Sequence, residues 1–142
     1  MGVSKALTEY DEALAKAPTQ ELRDYVVQES AQMLMQRDEP ALAQDRLTAA
    51  LADPVPPSLP RLRLGVLLGK LHEKSGATDE AESVYKHTLE EGLSLLDERD
   101  ARVLGVVRFA GMRLSALYRS TDRDEEADSV VERVKVFLGP PA

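Results

Sequence analysis

Residues 67–89 read LLGKLHEKSGATDEAESVYKHTL. Two helical patterns meet here at Ser75-Gly76-Ala77, where Gly76 supplies a left-handed stop for the first. Thr78 is placed to cap the second, and Asp79, Glu80 and Glu82 put negative charge on its positive amino end. Gly69 and Ala81 are small residues at positions where two helix backbones must come close, and Tyr85, one turn further on, fills a wider gap. The stretch therefore specifies a helical hairpin.

The same specification recurs when the chain is slid against itself. Ala43, Ala81 and Ala127 share a register. Twelve residues before them stand Ala31, Gly69 and Ser115, all small, and four after them stand Leu47, Tyr85 and Val131, all apolar. Five before them are Asp38, Gly76 and Asp122, the turn of each hairpin. Caps and breakers give the remaining boundaries. One helical pattern covers about 3–17 and stops at Pro18. Thr19 caps a second, with Leu22, Val26, Ala31 (or Ser30), Met33 and Leu34 as its apolar stripe. Asp38 is read as the cap of a third carrying Leu42, Leu47, Ala50 and Leu51. The cluster Pro54/Pro56/Pro57 is the firmest break in the chain. Ser58 caps a fourth helix, Asp100 opens a sixth that runs to Ser120, and a seventh runs from Asp122 or Arg123 to Leu138. The connections are short, so successive helices are expected to be antiparallel neighbours.

Composition agrees. Leucine and alanine supply 38 of 142 residues, isoleucine and tryptophan are absent, and only six residues are aromatic. Strong helix formers dominate and strand formers are scarce. The chain is long enough for one domain with a real core. No cysteine excludes disulfides and thiolate chemistry. Apolar runs are too short for a membrane span, and MGVSKALTEYDEALAKA places acids where a signal peptide has its apolar core. A soluble, cytoplasmic, all-α protein is expected.

The hairpin resembles a tetratricopeptide repeat through Leu68, Gly69, Gly76, Ala81 and Tyr85. The segment ALTEYDEALAKAP is similar to the second helix of another such repeat, through Ala6, Tyr10, Ala13 and Pro18. The resemblance implies a single TPR-like domain over 1–142, a right-handed helical-hairpin solenoid of about seven antiparallel helices. It would comprise a half repeat (3–18) and helix pairs at 19–52, 58–97 and 100–138. The aligned alanines are 38 and 46 residues apart, against about 34 in tetratricopeptide repeats and about 40–47 in HEAT or armadillo repeats. A HEAT-like array is therefore the alternative geometry. The tyrosine of the family's first helix is Leu34, His72 and only once Tyr118.

Candidate chemistry is sparse. His87 has Glu90 and Glu91 one turn on, a metal-compatible spacing, but no second histidine follows at i+4. The acidic clusters DERD and DRDEEAD sit at helix starts, where they compensate the macrodipole. No residues assemble nucleophile, base and orienting group, so neither an enzyme nor a cofactor is expected.

The net charge of -7 disfavours binding to nucleic acid over the whole surface. Yet residues 54–72 hold Arg61, Arg63 and Lys70 with no acid, and residues 101–120 hold Arg102, Arg108, Arg113 and Arg119 with no acid. In the family the first helix of each repeat lines the concave face. The resemblance thus implies a basic groove formed by Tyr25, Gln28, Gln32 and Met35, then Arg63, Val66, Lys70 and Glu73, then Phe109, Met112, Ala116 and Arg119. These arginines could instead pair with acids on adjacent helices, with Phe109 and Met112 in the core. Chaperone-binding members clamp a terminal carboxylate with Lys/Asn/Asn/Lys/Arg. Here those places hold Gln28, Gln32, Leu67, Phe109 and Arg113, and only Arg113 fits.

The expected function is a non-catalytic interaction module that holds an acidic or mixed apolar–acidic segment of a protein partner. A scaffold subunit or self-associating fragment, forming a homodimer or larger assembly, is the structural alternative, since the chain opens on an unpaired second helix. RNA binding through the basic helices is a third reading, with few aromatics to stack on bases.

Overall fold

A computed structural model describes residues 2–96 and 100–136. They form α1 (Val3–Lys16), α2 (Gln20–Gln36), α3 (Pro40–Leu51), α4 (Leu59–Lys74), α5 (Thr78–Ser94), α6 (Ala101–Ser120) and α7 (Asp124–Lys135). Among the described residues there is no strand. The expected ends at Asp97 and Leu138 lie outside them.

Each helix packs on the next. In addition α2 packs on α4 and α4 on α6, so the even-numbered helices form a continuous row. The core has two parts. Val27, Ala31, Leu34, Ala43, Leu47, Leu64, Leu68 and Leu71 fill the first, between α1 and α4. The second lies between α4 and α7 and is built around Leu62, Tyr85, Leu89, Val107, Leu114 and Tyr118. The helix α4 contributes to both, through Leu62 to the second and through Leu64, Leu68 and Leu71 to the first.

The three hairpin turns share one construction. Asp38, Gly76 and Asp122 all adopt positive φ (58°, 80° and 59°). The next amide in each, of Glu39, Ala77 and Arg123, donates to the carbonyl of Leu34, His72 and Tyr118 at 2.8 Å. This is the Schellman closure of a helix end. Leu34, His72 and Tyr118 are also all buried, so three different residue types do the same job. The shared small positions hold as well. Ala31, Gly69 and Ser115 are buried, and a Cβ added at Gly69 would strike the Tyr85 ring.

Several local expectations are corrected. Asp38 is not the cap of α3 but the left-handed residue before it. The cap is Glu39, with no side-chain bond. Thr78 is the first residue of α5, whose cap is Ala77, and α7, expected from Asp122 or Arg123, starts at Asp124 with Arg123 as its cap. Thr19, Ser58 and Asp100 do cap, accepting from the amides of Leu22, Arg61 and Arg102. Leu22 and Leu42 are exposed, and α2 turns Asp24, Val27, Ser30, Ala31 and Leu34 inward instead. Val131 is 39 % exposed while Val130 and Val134 are buried, because no described helix lies beyond α7 as α4 lies beyond α3. From α1, Val3, Leu7 and Leu14 pack on the first core cluster.

Candidate functional site

The even row presents an open groove of about 450 Å³. Gln28 and Gln32 enter it from α2. Arg63, Val66, Leu67 and Lys70 come from α4, and Arg102, Gly105, Val106 and Phe109 from α6. These spacings of three and four residues keep one helical face in register. Six of the twelve groove residues read from the sequence are thus brought together: Gln28, Gln32, Arg63, Val66, Lys70 and Phe109. Among the described residues three cations line the groove and no carboxylate does. Asp100 lies at its edge, where it accepts from Arg102 Nη2 at 2.9 Å, and that guanidinium holds its carboxyl below the usual carboxylate range. Neither Arg63 nor Lys70 has an ion-pair partner among the described residues. The Lys70 ammonium stands 4.9 Å from the centre of the Phe109 ring, a cation–π contact between α4 and α6 across the groove. The Phe109 ring in turn meets Tyr85 edge-on at 6.1 Å. Gln28 Oε1 is buried without a hydrogen-bond partner among the described residues.

The other six residues fall elsewhere. Glu73 is bound into an interhelical network. Tyr85 Oη donates to its Oε2 at 2.6 Å, Arg113 Nε donates to the same oxygen at 3.1 Å, and Arg113 Nη2 donates to Oε1. The Arg113 bonds are the chief cause of the lowered Glu73 pKa, and burial beside that carboxylate pushes the Tyr85 hydroxyl well up. Arg113 therefore joins α6 to α4. Arg119 donates to Asp128 at 2.7 Å on α7, outside the groove. Met112, 58 % exposed, lines a separate cleft of about 220 Å³ between α6 and α7 with Arg108, Val131 and Val134. Tyr25 is exposed on α2, Met35 packs on the first core cluster, and Ala116 is half-buried on α6; none of the three lines the groove.

Arg61 is the other redirected base. It is 4 % exposed, and its guanidinium donates to the carbonyls of Ala50 (3.3 Å), Leu51 (3.1 Å) and Asp53. The chain after α3 carries prolines at 54, 56 and 57, which have no N–H to close the helix end. A side chain must satisfy those carbonyls instead. Sequence spacing gave no hint of this, since Arg61 and Arg63 stand two apart on opposite sides of α4.

Around His87, Glu91 lies at 3.3 Å, but Glu90 is held by Arg133, which donates to it at 2.6 and 3.0 Å across to α7. Sequence reading missed Leu67, Arg102, Gly105 and Val106 as lining residues of the groove. Their signal was the period of three to four from Arg63 and Phe109. Among the described residues no helix is long and apolar enough to cross a membrane. No protein-family model matches the chain, and no curated protein matches it.

Proposed function

We propose that the chain is a TPR-like array, a right-handed helical-hairpin solenoid, that binds an acidic, partly apolar segment of a protein partner in the groove of α2, α4 and α6. The observation that carries this reading is the sign of the groove. A chain of net charge -7 gathers Arg63 and Lys70 there, unpaired among the described residues, beside an Arg102 that is paired with Asp100, and no described carboxylate lines it. Such local complementarity steers an anionic partner and fixes its register. Arg63 offers a bidentate fork to a carboxylate. Val66, Leu67, Val106 and the exposed part of Phe109 offer apolar contact. The Gln28 and Gln32 amides carry both donors and acceptors, which suits the backbone of an extended segment.

The test is fluorescence anisotropy with a labelled peptide that alternates glutamate with leucine or phenylalanine. Arg63→Glu combined with Lys70→Glu should weaken binding at least about tenfold, roughly 1.4 kcal/mol. Arg119→Glu, outside the groove, should change it little. Equal loss in both variants, or none in either, would reject the groove. An RNA oligonucleotide is the competing probe. Lys70 already covers one face of Phe109, the groove's only described aromatic, so stacking is poorly provided for and the peptide should bind better.

A second reading, a self-associating scaffold, draws on the cleft between α6 and α7, where Met112 and Val131 are exposed beside Val134. It predicts a concentration-dependent mass in light scattering that Met112→Lys abolishes.

A further inference from the structure

Two of the three hairpins are covered by the helix that follows them. The helix α4 lies on α2 and α3, and α6 lies on α4 and α5. The third hairpin, α6 with α7, has no such cover among the described residues. With Ala43, Ala81 and Ala127 aligned, Val131 takes the place of Leu47 and Tyr85. Those two are fully buried and Val131 is exposed. It lines the cleft of about 220 Å³ between α6 and α7 together with the exposed Met112. Gly111 and Ser115, on the α6 wall, are small enough for another helix to come close.

The two ends of this face differ in sign. At the turn between α6 and α7, Arg119 pairs with Asp128 at 2.7 Å and with Asp124 at 4.0 Å, one cation against two carboxylates. At the other end Arg108 and Lys135 line the cleft. Lys135 meets Glu132 at 3.9 Å and Arg108 has no ion-pair partner among the described residues, so two cations stand against one carboxylate. On α7, Val131 lies three residues after Asp128 and four before Lys135. On α6, Met112 and Ser115 each lie four residues inside Arg108 and Arg119. The apolar centre is thus flanked by opposite charge at nearly equal distances.

We infer that this face pairs with the same face of a second copy, about a two-fold axis that runs across the helices beside Val131. The pairing rests on the self-associating reading of this cleft, and adds its symmetry and its contacts. A two-fold makes the interface isologous, so every contact occurs twice. It sets α7 antiparallel to the α7 of the second copy, with Lys135 facing the partner's Asp128. The basic end of each copy then lies over the acidic end of the other, and Met112 and Val131 are removed from water. A two-fold along the helices would instead gather Arg108 and Lys135 of both copies at one end, where like charges repel. The second copy is the occupant because the two ends of the face complement each other.

The experiment is sedimentation velocity on the full chain. The wild type should pass from monomer to dimer between about 1 µM and 1 mM. Lys135→Glu and Asp128→Lys each place two like-charge contacts in the symmetric dimer, and each should weaken dimerisation at least about tenfold. Mixed in equal amounts, the two variants should recover the dimer, since a heterodimer restores an opposite-charge pair at both contacts. Both side chains are mostly exposed, and circular dichroism confirms that the variants are folded. Weakening by both variants with no recovery on mixing overturns the two-fold, while self-association through the cleft stands. Wild-type association that neither variant weakens also overturns it. A wild type that stays monomeric to about 1 mM overturns both the two-fold and the self-associating reading.

Discussion

Glu73 takes hydrogen bonds from α5 and α6 at once, through Tyr85 and Arg113, and so joins three helices at one carboxylate. Arg113 holds its pKa below the usual 4.5. A carboxylate depressed on folding contributes stability that is fully present above its unfolded pKa and is lost as pH falls through the folded value. Glu73→Gln should therefore be less stable than wild type near neutrality. The difference should shrink as pH drops from about 4.5 towards 3. Arg113 is 36 % exposed at its side chain, so solvent screens the pair, and we expect a difference of about 1 kcal/mol at pH 7. Urea denaturation at pH 7 and pH 3 checks both sign and size; a difference independent of pH would mean the carboxylate is not the titrating partner. Sequence spacing could not reveal this network, because its members stand 12 and 40 residues apart and nothing in their order marks them as partners.

The hairpin turn repeats as an element although its residues do not. All three turns need one residue in the left-handed region, which costs a residue with a Cβ about 1–2 kcal/mol. Only the middle hairpin uses glycine there; Asp38 and Asp122 tolerate the conformation better than most. Asp38→Gly and Asp122→Gly should each stabilise the protein by about 0.5–1 kcal/mol, and Gly76→Ala should destabilise it by about 1–2 kcal/mol. Thermal melts of the three variants test this, and destabilisation by both aspartate-to-glycine changes would contradict it. The exit from α3 is closed differently, by the Arg61 side chain, because the following prolines lack the amides that close the other ends. The three turns were legible at the right positions, but Asp38 reads in the sequence as a helix cap as well. Aspartate favours both a helix cap and the left-handed bridge, and only backbone geometry separates the two.

Across the whole molecule, contacts run from each helix to its near neighbours, and the two core clusters meet at α4. Stability should be graded accordingly. The helix α1 has no fully buried residue, whereas α4 has Leu62, Leu64, Leu68 and Leu71 buried. In native-state hydrogen exchange α1 should exchange first and the middle of α4 last. Uniform protection across the two would show that the chain opens as one unit. The charge of the chain also resolves only at this scale. Of the bases in residues 101–120, Arg113, Arg119 and Arg102 are spent on Glu73, Asp128 and Asp100. The groove keeps its sign through α4, whose Arg63 and Lys70 stand on the face that Arg61 leaves.

The sequence alone determined that the chain is helical, where its helices break, and which small residues recur at the three hairpin contacts. These are local properties, written in caps, prolines, glycine and the period of apolar residues. Only the tertiary structure decided which arginines face the groove and which are consumed by carboxylates or carbonyls of other helices. It also decided that Val131 is exposed where Leu47 and Tyr85 are buried. Both depend on what stands opposite a side chain once distant helices meet, and periodicity along one helix carries no record of that.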